Sequence, residues 1–203
     1  LYFCYMKNSV IIEKINLFRN KFYLNLIIKG ILLSIFFSIN GFLLIVFLEH
    51  LVWFDSKFRQ FIFWGFCISS LIFIIYNIII PFLKIYSFGN IISNKQAASI
   101  IGEYFRDIDD KLLNLLELEE INDKHSDLLI ASINQKTEHL NKFKFEDVIN
   151  FSSNKKYLKL LIIPIAIIIL IFITGNNQII SESSARVINY NETFTKPAPF
   201  KFI

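Results

Sequence analysis

Cysteine is nearly absent from this chain: of 203 residues only Cys4 and Cys67 carry a thiol. Two thiols cannot build a disulfide framework or a four-ligand zinc site. Glycine (6) and proline (4) are also scarce, which excludes a collagenous or low-complexity chain. Charge of one sign is not in large excess, with 21 Lys+Arg against 17 Asp+Glu for a formal +4. What the chain has in abundance is hydrocarbon: 54% of its residues are hydrophobic and 23 are Phe. That content excludes intrinsic disorder as the dominant state. The question it leaves is which solvent the apolar residues face.

Charge is missing altogether from three stretches. Residues 30–48 (GILLSIFFSINGFLLIVFL) form the first, which as a helix rises about 28 Å, close to the hydrocarbon thickness of a bilayer. Residues 60–83 form the second and 160–181 the third, whose dense part LLIIPIAIIILIFITG ends at Gly175. Buried helices of water-soluble proteins are usually shorter and show polar residues at helical period. The expected fold is therefore an all-α membrane protein: three transmembrane helices, with a small cytoplasmic helical bundle inserted between the second and third.

Basic residues set the expected sidedness, because Lys and Arg beside a span are retained in the cytoplasm. Lys7, Lys14, Arg19, Lys21 and Lys29 precede the first span against Glu13 alone, so segment 1–29 is expected inside. The link 49–59 balances Glu49 and Asp55 against Lys57 and Arg59 and reads as a short outside loop, with Trp53 and Trp64 at the interface. Lys84 and Lys95 after the second span, and Lys155, Lys156 and Lys159 before the third, put 84–159 inside. Residues 182–203 then begin an extracytoplasmic region. The expected location is a bacterial inner membrane, with the N-terminus cytoplasmic and the C-terminus outside. Met6 reads as a natural start and PAPFKFI as an unfinished end, so the chain is expected to be part of a longer one. No cleavable signal peptide precedes the first span, which reads as a retained anchor.

In the N-terminal segment Ile11, Ile15, Phe18 and Phe22 recur at helical spacing, with Glu13, Lys14, Asn16, Arg19 and Lys21 on the other face. This pattern predicts a helix lying on the inner leaflet, ahead of one packed on the cytoplasmic domain, and makes anionic lipid its partner. The 84–159 insert has 11 Lys+Arg and 12 Asp+Glu, a near-neutral balance that gives nucleic acid no electrostatic footprint. Ser93 and Gln96 predict a capping box opening a helix over 94–106. Asp109 or Asp110 caps a second helix carrying Leu112, Leu113, Leu115, Leu116 and Leu118. Ser126 or Asp127 caps a third, with Leu129, Ile130, Ile133 and Leu140 facing in. Three such helices close into a bundle.

Chemistry is not visible in these residues. Glu117, Glu119, Glu120 and Asp123 have no EF-hand spacing, and His125 and His139 have no partner at ligand spacing. His50, at the outer end of the first span, needs no special role. There is no P-loop, GxGxxG, HExxH or GxSxG, so neither an enzyme nor a cofactor is expected. No Asp, Glu, Lys or Arg lies inside a span, which disfavours a transport pathway. Gly30, Ser34 and Ser38 fall four apart on the first span and Gly65 and Ser69 on the second, the small-residue spacing that lets helix backbones approach. They predict a hairpin of the two spans, or a homo-oligomer through the same face. Asn40 and Asn77 are expected to bond between helices. Pro81 and Pro164 are expected to kink their spans.

The stretches AASIIGEYFRDIDDKLLNLLEL, SDLLIASINQK, INFSSNKKYL and RVINYNETFTKPAPFKF together resemble the large bacterial inner-membrane proteins of the domain of unknown function 4175 family. The resemblance implies an N-terminal membrane anchor, followed by a long extracytoplasmic part that begins with immunoglobulin-like strands and continues into helical regions. It implies no activity and no functional residue, and nothing here supports the ATPase label that some members carry. The expected function is a non-catalytic anchor and scaffold, with protein partners on the helical insert and the extracytoplasmic region. The alternative is a signalling component that couples the outside region to the insert.

Overall fold

The computed structural model describes residues 2–86, 88–89, 91–120 and 135–194, with side chains described for all of these but 2–9, 109 and 118–120. Among the described residues every regular element is helical and there is no strand. Helix α1 runs unbroken from Tyr2 to Val52. After a three-residue turn, α2 (Ser56–Ile74) passes through a π segment (Ile75–Ile79) into α3 (Ile80–Ile85). Then follow α4 (Asn94–Tyr104), α5 (Asp109–Glu120), a helical stretch α6 at 135–140, α7 (Lys155–Leu160), α8 (Ile162–Ile173) and α9 (Asn177–Ile188). Two 3₁₀ turns, Phe145–Val148 and Phe151–Asn154, lead into α7.

Three stretches, Val10–Val52, Ser56–Ile85 and Phe145–Ile173, are long and apolar enough to cross a membrane. Their apolar side chains are largely uncovered: Ile173 is 78% exposed, Phe61 75% and Leu170 63%. Apolar surface on that scale marks a membrane-associated protein. The chain folds as two compact units, one from Leu1–Ile27 with Ile80–Ser153, the other from Ile28–Ile79 with Asn154–Ile203.

The first unit corrects the reading of segment 1–29 as a separate interfacial helix. Ile11, Ile15 and Phe18 are fully buried, packed with Ala97, Ile101, Ile108 and Leu112, and Phe22 packs against the same cluster. The stripe is an apolar face of α1, as its spacing predicts, but its solvent is protein rather than lipid. An amphipathic helix presents the same periodicity to either. The helix also does not stop before the first span, because no Gly or Pro interrupts it between Met6 and Lys29. Side chains fix α1 against the insert: Arg19 Nη2 donates to Asn94 Oδ1 at 2.7 Å, and the Ile92 N–H donates to Tyr23 Oη at 2.9 Å.

The capping box opens α4 as expected: Gln96 N–H donates to Ser93 Oγ at 3.1 Å and Ser93 N–H to Gln96 Oε1 at 3.0 Å. In α5 Leu112, Leu115 and Leu116 are buried, as is Leu140 in α6. The rest of the third insert helix, with Ser126, Asp127, Leu129, Ile130 and Ile133, lies outside the described residues, as do His125 and Asp123. Lys14 Nζ donates to the carbonyls of Asn141 at 2.7 Å and Phe143 at 3.2 Å, where α6 ends, and sits 5.8 Å from the Phe145 ring. Lys14→Met keeps the apolar stem and removes these donors. It is expected to destabilise the unit by about 1 kcal/mol, with Lys14→Arg recovering most of it, read from thermal melts of the purified protein.

In the second unit α1 and α2 pack as a hairpin. The Phe37 and Phe73 rings stack at 4.9 Å with 6° between planes. A Cβ on Gly30 would overlap the Asn77 carbonyl oxygen, and one on Gly41 would sit 2.9 Å from the Phe66 ring. In an α-helix that carbonyl would accept from residue 81, which is proline and has no N–H. The π segment falls at this point, and the missing side chain of Gly30 lets α1 close over it. Asn40 and Asn77 do not bond between helices. Each donates to its own helix four residues back, to Phe36 O at 2.8 Å and Phe73 O at 2.9 Å.

The third apolar run does not continue to residue 181. It stops at Ile173, where Gly175 takes φ +71°. Its N–H donates to Phe172 O, and Asn176 N–H to Ile171 O, both at 3.2 Å. This pair of bonds is a Schellman stop, which needs the left-handed residue that glycine supplies. Residues 177–188 form the separate helix α9.

Candidate functional site

The turn between α1 and α2 is shorter than the 49–59 loop read from the charges, because α1 continues to Val52 and α2 starts at Ser56. Glu49 therefore sits within the last turn of α1, at 0% exposure. Trp53 ends the helix at φ +55°, a left-handed conformation uncommon for an aromatic residue and costing on the order of 1 kcal/mol or more. The conformation reverses the chain within three residues. The Phe54 N–H then donates to Glu49 Oε2 at 3.3 Å.

Two arginines converge on this carboxylate. Arg186 Nε lies 3.2 Å from Glu49 Oε1, and Arg59 Nε lies 3.7 Å from the same oxygen. Arg59, one turn into α2, also donates from Nε to Phe54 O at 2.9 Å and from Nη1 to Arg186 O and Glu192 O at 3.5 and 3.4 Å. The carbonyl of Arg186 belongs to the last turn of α9, whose partial negative charge favours a cation there. Arg186 itself donates from Nη2 to Ser183 Oγ at 2.8 Å, and its guanidinium lies 4.0 Å from the Trp53 ring centroid. Ser183, Arg186 and Val187 are all buried, and their i, i+3, i+4 spacing puts them on one face of α9. Ser56 Oγ donates to Tyr190 O at 2.6 Å, and Phe63 meets the Tyr190 ring at 5.1 Å.

The result is a clasp. One buried carboxylate from α1 faces guanidinium groups from α2 and α9, both nearly buried, and the second acid nearby, Glu182 at 3.8 Å from Arg186 Nη1, is 59% exposed. Two positive charges against one buried negative charge form a structural ion network rather than a proton-transfer pair. Two apolar clefts of about 290 and 380 Å³ open beside α8 and α9, with Ile180 lining both; Asn40, Val46 and Ile171 line the first, and Ser38, Phe66 and Phe172 the second. Among the described residues no three His, Cys, Asp or Glu side chains converge to hold a metal ion. His139 is exposed beside Phe143, with ring centroids 5.8 Å apart.

The small residues expected to pack the spans are only partly brought together. Gly30 and Ser34 are buried, although the Ser34 hydroxyl has no hydrogen-bond partner, and Ser38 lines a cleft. Gly65 and Ser69 do not share that face: both are exposed, and nothing lies within 4 Å of a Cβ built on Gly65. Gly41 also meets α2, at the Phe66 ring, and lies outside the every-fourth-residue pattern. Trp64 is half exposed and lines an open cleft with Lys57 and Gln60, whereas Trp53 is engaged in the clasp. Sequence reasoning missed Glu49, Arg59 and Arg186 as a group. Arg186 lies 137 residues from Glu49, and charges summed over a loop carry no information about such a pairing. No family model, curated protein or solved structure matches this chain.

Proposed function

We propose that the chain is a non-catalytic anchor and scaffold of a bacterial inner membrane. In this reading the Ile80–Ser153 part faces the cytoplasm with the N-terminal turns of α1, and the clasp and α9 lie on the extracytoplasmic side. The observation that carries it is the Glu49–Arg59–Arg186 clasp. A buried ion network joining the α1–α2 turn to the helix that follows the third apolar run resists being pulled apart. It suits a part that must hold an attached chain at a fixed place. Membrane lipids surround the apolar helices, and protein partners dock on the helical insert and on the chain after α9. The relation to the domain of unknown function 4175 family belongs to this proposal and rests on the four stretches of resemblance.

One observation favours transmembrane signalling as a second reading. A single unbroken helix, α1, contributes Ile11, Ile15 and Phe18 to one core and Glu49 to the clasp. A transducer changes the hydrogen-exchange protection of 94–116 when the clasp is broken; a scaffold leaves it unchanged.

Sidedness is tested with cysteines planted at the exposed positions Asp107 and Asn191, in a chain whose Cys4 and Cys67 are changed to serine. A maleimide that cannot enter intact cells is expected to modify Asn191→Cys and spare Asp107→Cys until the membrane is opened. The reverse pattern overturns the orientation.

A further inference from the structure

We propose that Lys29, Lys156 and Tyr157 form a binding site for the phosphate headgroup of an anionic phospholipid, an inference that rests on the membrane reading. The uncharged run of α1 begins at Gly30 and that of α8 is preceded by Lys159, so Lys29 and Tyr157 each mark the charged border of a different apolar run. The fold brings these two borders to one point. Lys29 Nζ lies 5.3 Å from the centroid of the Tyr157 ring, and Lys156 Nζ lies 5.0 Å from the same centroid.

Two ammonium groups on one ring repel each other, and the ring's negative face offsets only part of that. Among the described residues no carboxylate pairs with either lysine. The contrast with the clasp is plain: there the guanidinium groups share a carboxylate supplied by the chain, whereas here the described residues offer the two ammonium groups the Tyr157 phenol and no carboxylate. At the border of an apolar run the anion at hand is a lipid phosphate, which takes two ammonium donors and a phenol hydroxyl. The site replaces the lipid contact expected of Ile11, Ile15 and Phe18, whose side chains are used in the first unit's core.

The test uses the full chain purified in a nonionic detergent, with bound phosphatidylglycerol and phosphatidylcholine counted by native mass spectrometry. Wild type is expected to retain phosphatidylglycerol over phosphatidylcholine by about tenfold, and Lys29→Gln/Lys156→Gln to lose that preference. Lys29→Arg/Lys156→Arg and Lys57→Gln are expected to keep it, which separates charge at this site from general basicity and from misfolding. Unchanged preference in the glutamine pair overturns the site. Removal of the lipid by millimolar inorganic phosphate, with phosphate bound in its place, overturns the headgroup as its ligand. A wild type that retains both lipids equally also overturns the site while leaving the membrane reading in place. A wild type that binds neither lipid and stays monomeric without detergent overturns the membrane reading itself.

Discussion

Replacing Glu49 by alanine is expected to lower the midpoint of thermal unfolding in mild detergent by roughly 10 °C, from a loss of about 3 to 5 kcal/mol. The size follows from what is left behind. Arg59 and Arg186 are 5% and 4% exposed, and without the carboxylate they face each other with no buried counter-charge among the described residues. Glu49→Gln keeps an acceptor for the Phe54 N–H at 3.3 Å and removes only the charge, so its cost is expected to be smaller. Arg59→Met is smaller again, because it leaves Glu49 and Arg186 as a one-to-one pair at 3.2 Å. Exchanging all three residues for apolar ones is expected to cost less than Glu49→Ala alone, since no charge remains uncompensated. Melts of the four variants followed by circular dichroism check the ranking. Equal midpoints for Glu49→Ala and Arg59→Met would rule out the charge count on which it depends.

Gly30→Ala and Gly65→Ala are expected to move stability in opposite directions, although both put a better helix former into an apolar helix. At Gly30 the new methyl runs into the Asn77 carbonyl oxygen. That atom is main chain and cannot swing aside like the end of a side chain. The hairpin has to open, at a cost of about 3 kcal/mol. The movement also unstacks Phe37 from Phe73, now 4.9 Å apart. At Gly65 nothing lies within 4 Å, so the substitution keeps the gain in helix propensity, up to about 1 kcal/mol. Paired melts in the same detergent, with cross-linking between cysteines planted on α1 and α2, measure both effects. A neutral Gly30→Ala would mean that the two backbones are not in close contact.

The features legible in the sequence were those carried by neighbours along the chain. Stretches without charge marked the apolar helices, and Ser93 with Gln96 marked the start of α4, because a capping box is complete within four residues. Gly175 closed the dense part of the third run for a similarly local reason, although the uncharged tail to Ser181 concealed the separate helix α9. What was not legible depended on the third dimension. The stripe Ile11, Ile15, Phe18 and Phe22 specifies an apolar contact and is silent on whether lipid or protein provides it. The fourfold spacing of Gly65 and Ser69 defines a face of α2, but which face turns to α1 depends on where the π segment shifts the helix and on ring packing such as Phe37 with Phe73. Glu49 and Arg59 cancelled in a loop-wide charge sum. Their meaning came from Arg186, which only folding brings beside them. Asn40 and Asn77 had carbonyls of their own helices within reach and needed no partner across the interface.

Trp53 is one of only two indoles in the chain, and its ring lies against the Arg186 guanidinium at 4.0 Å. The other, Trp64, is 51% exposed on α2, away from the clasp. With Trp64 changed to phenylalanine, the emission of the remaining tryptophan comes from inside the ion network alone. The molecule thus carries an intrinsic optical gauge of its own fastening, readable without a dye whenever that cation leaves the ring.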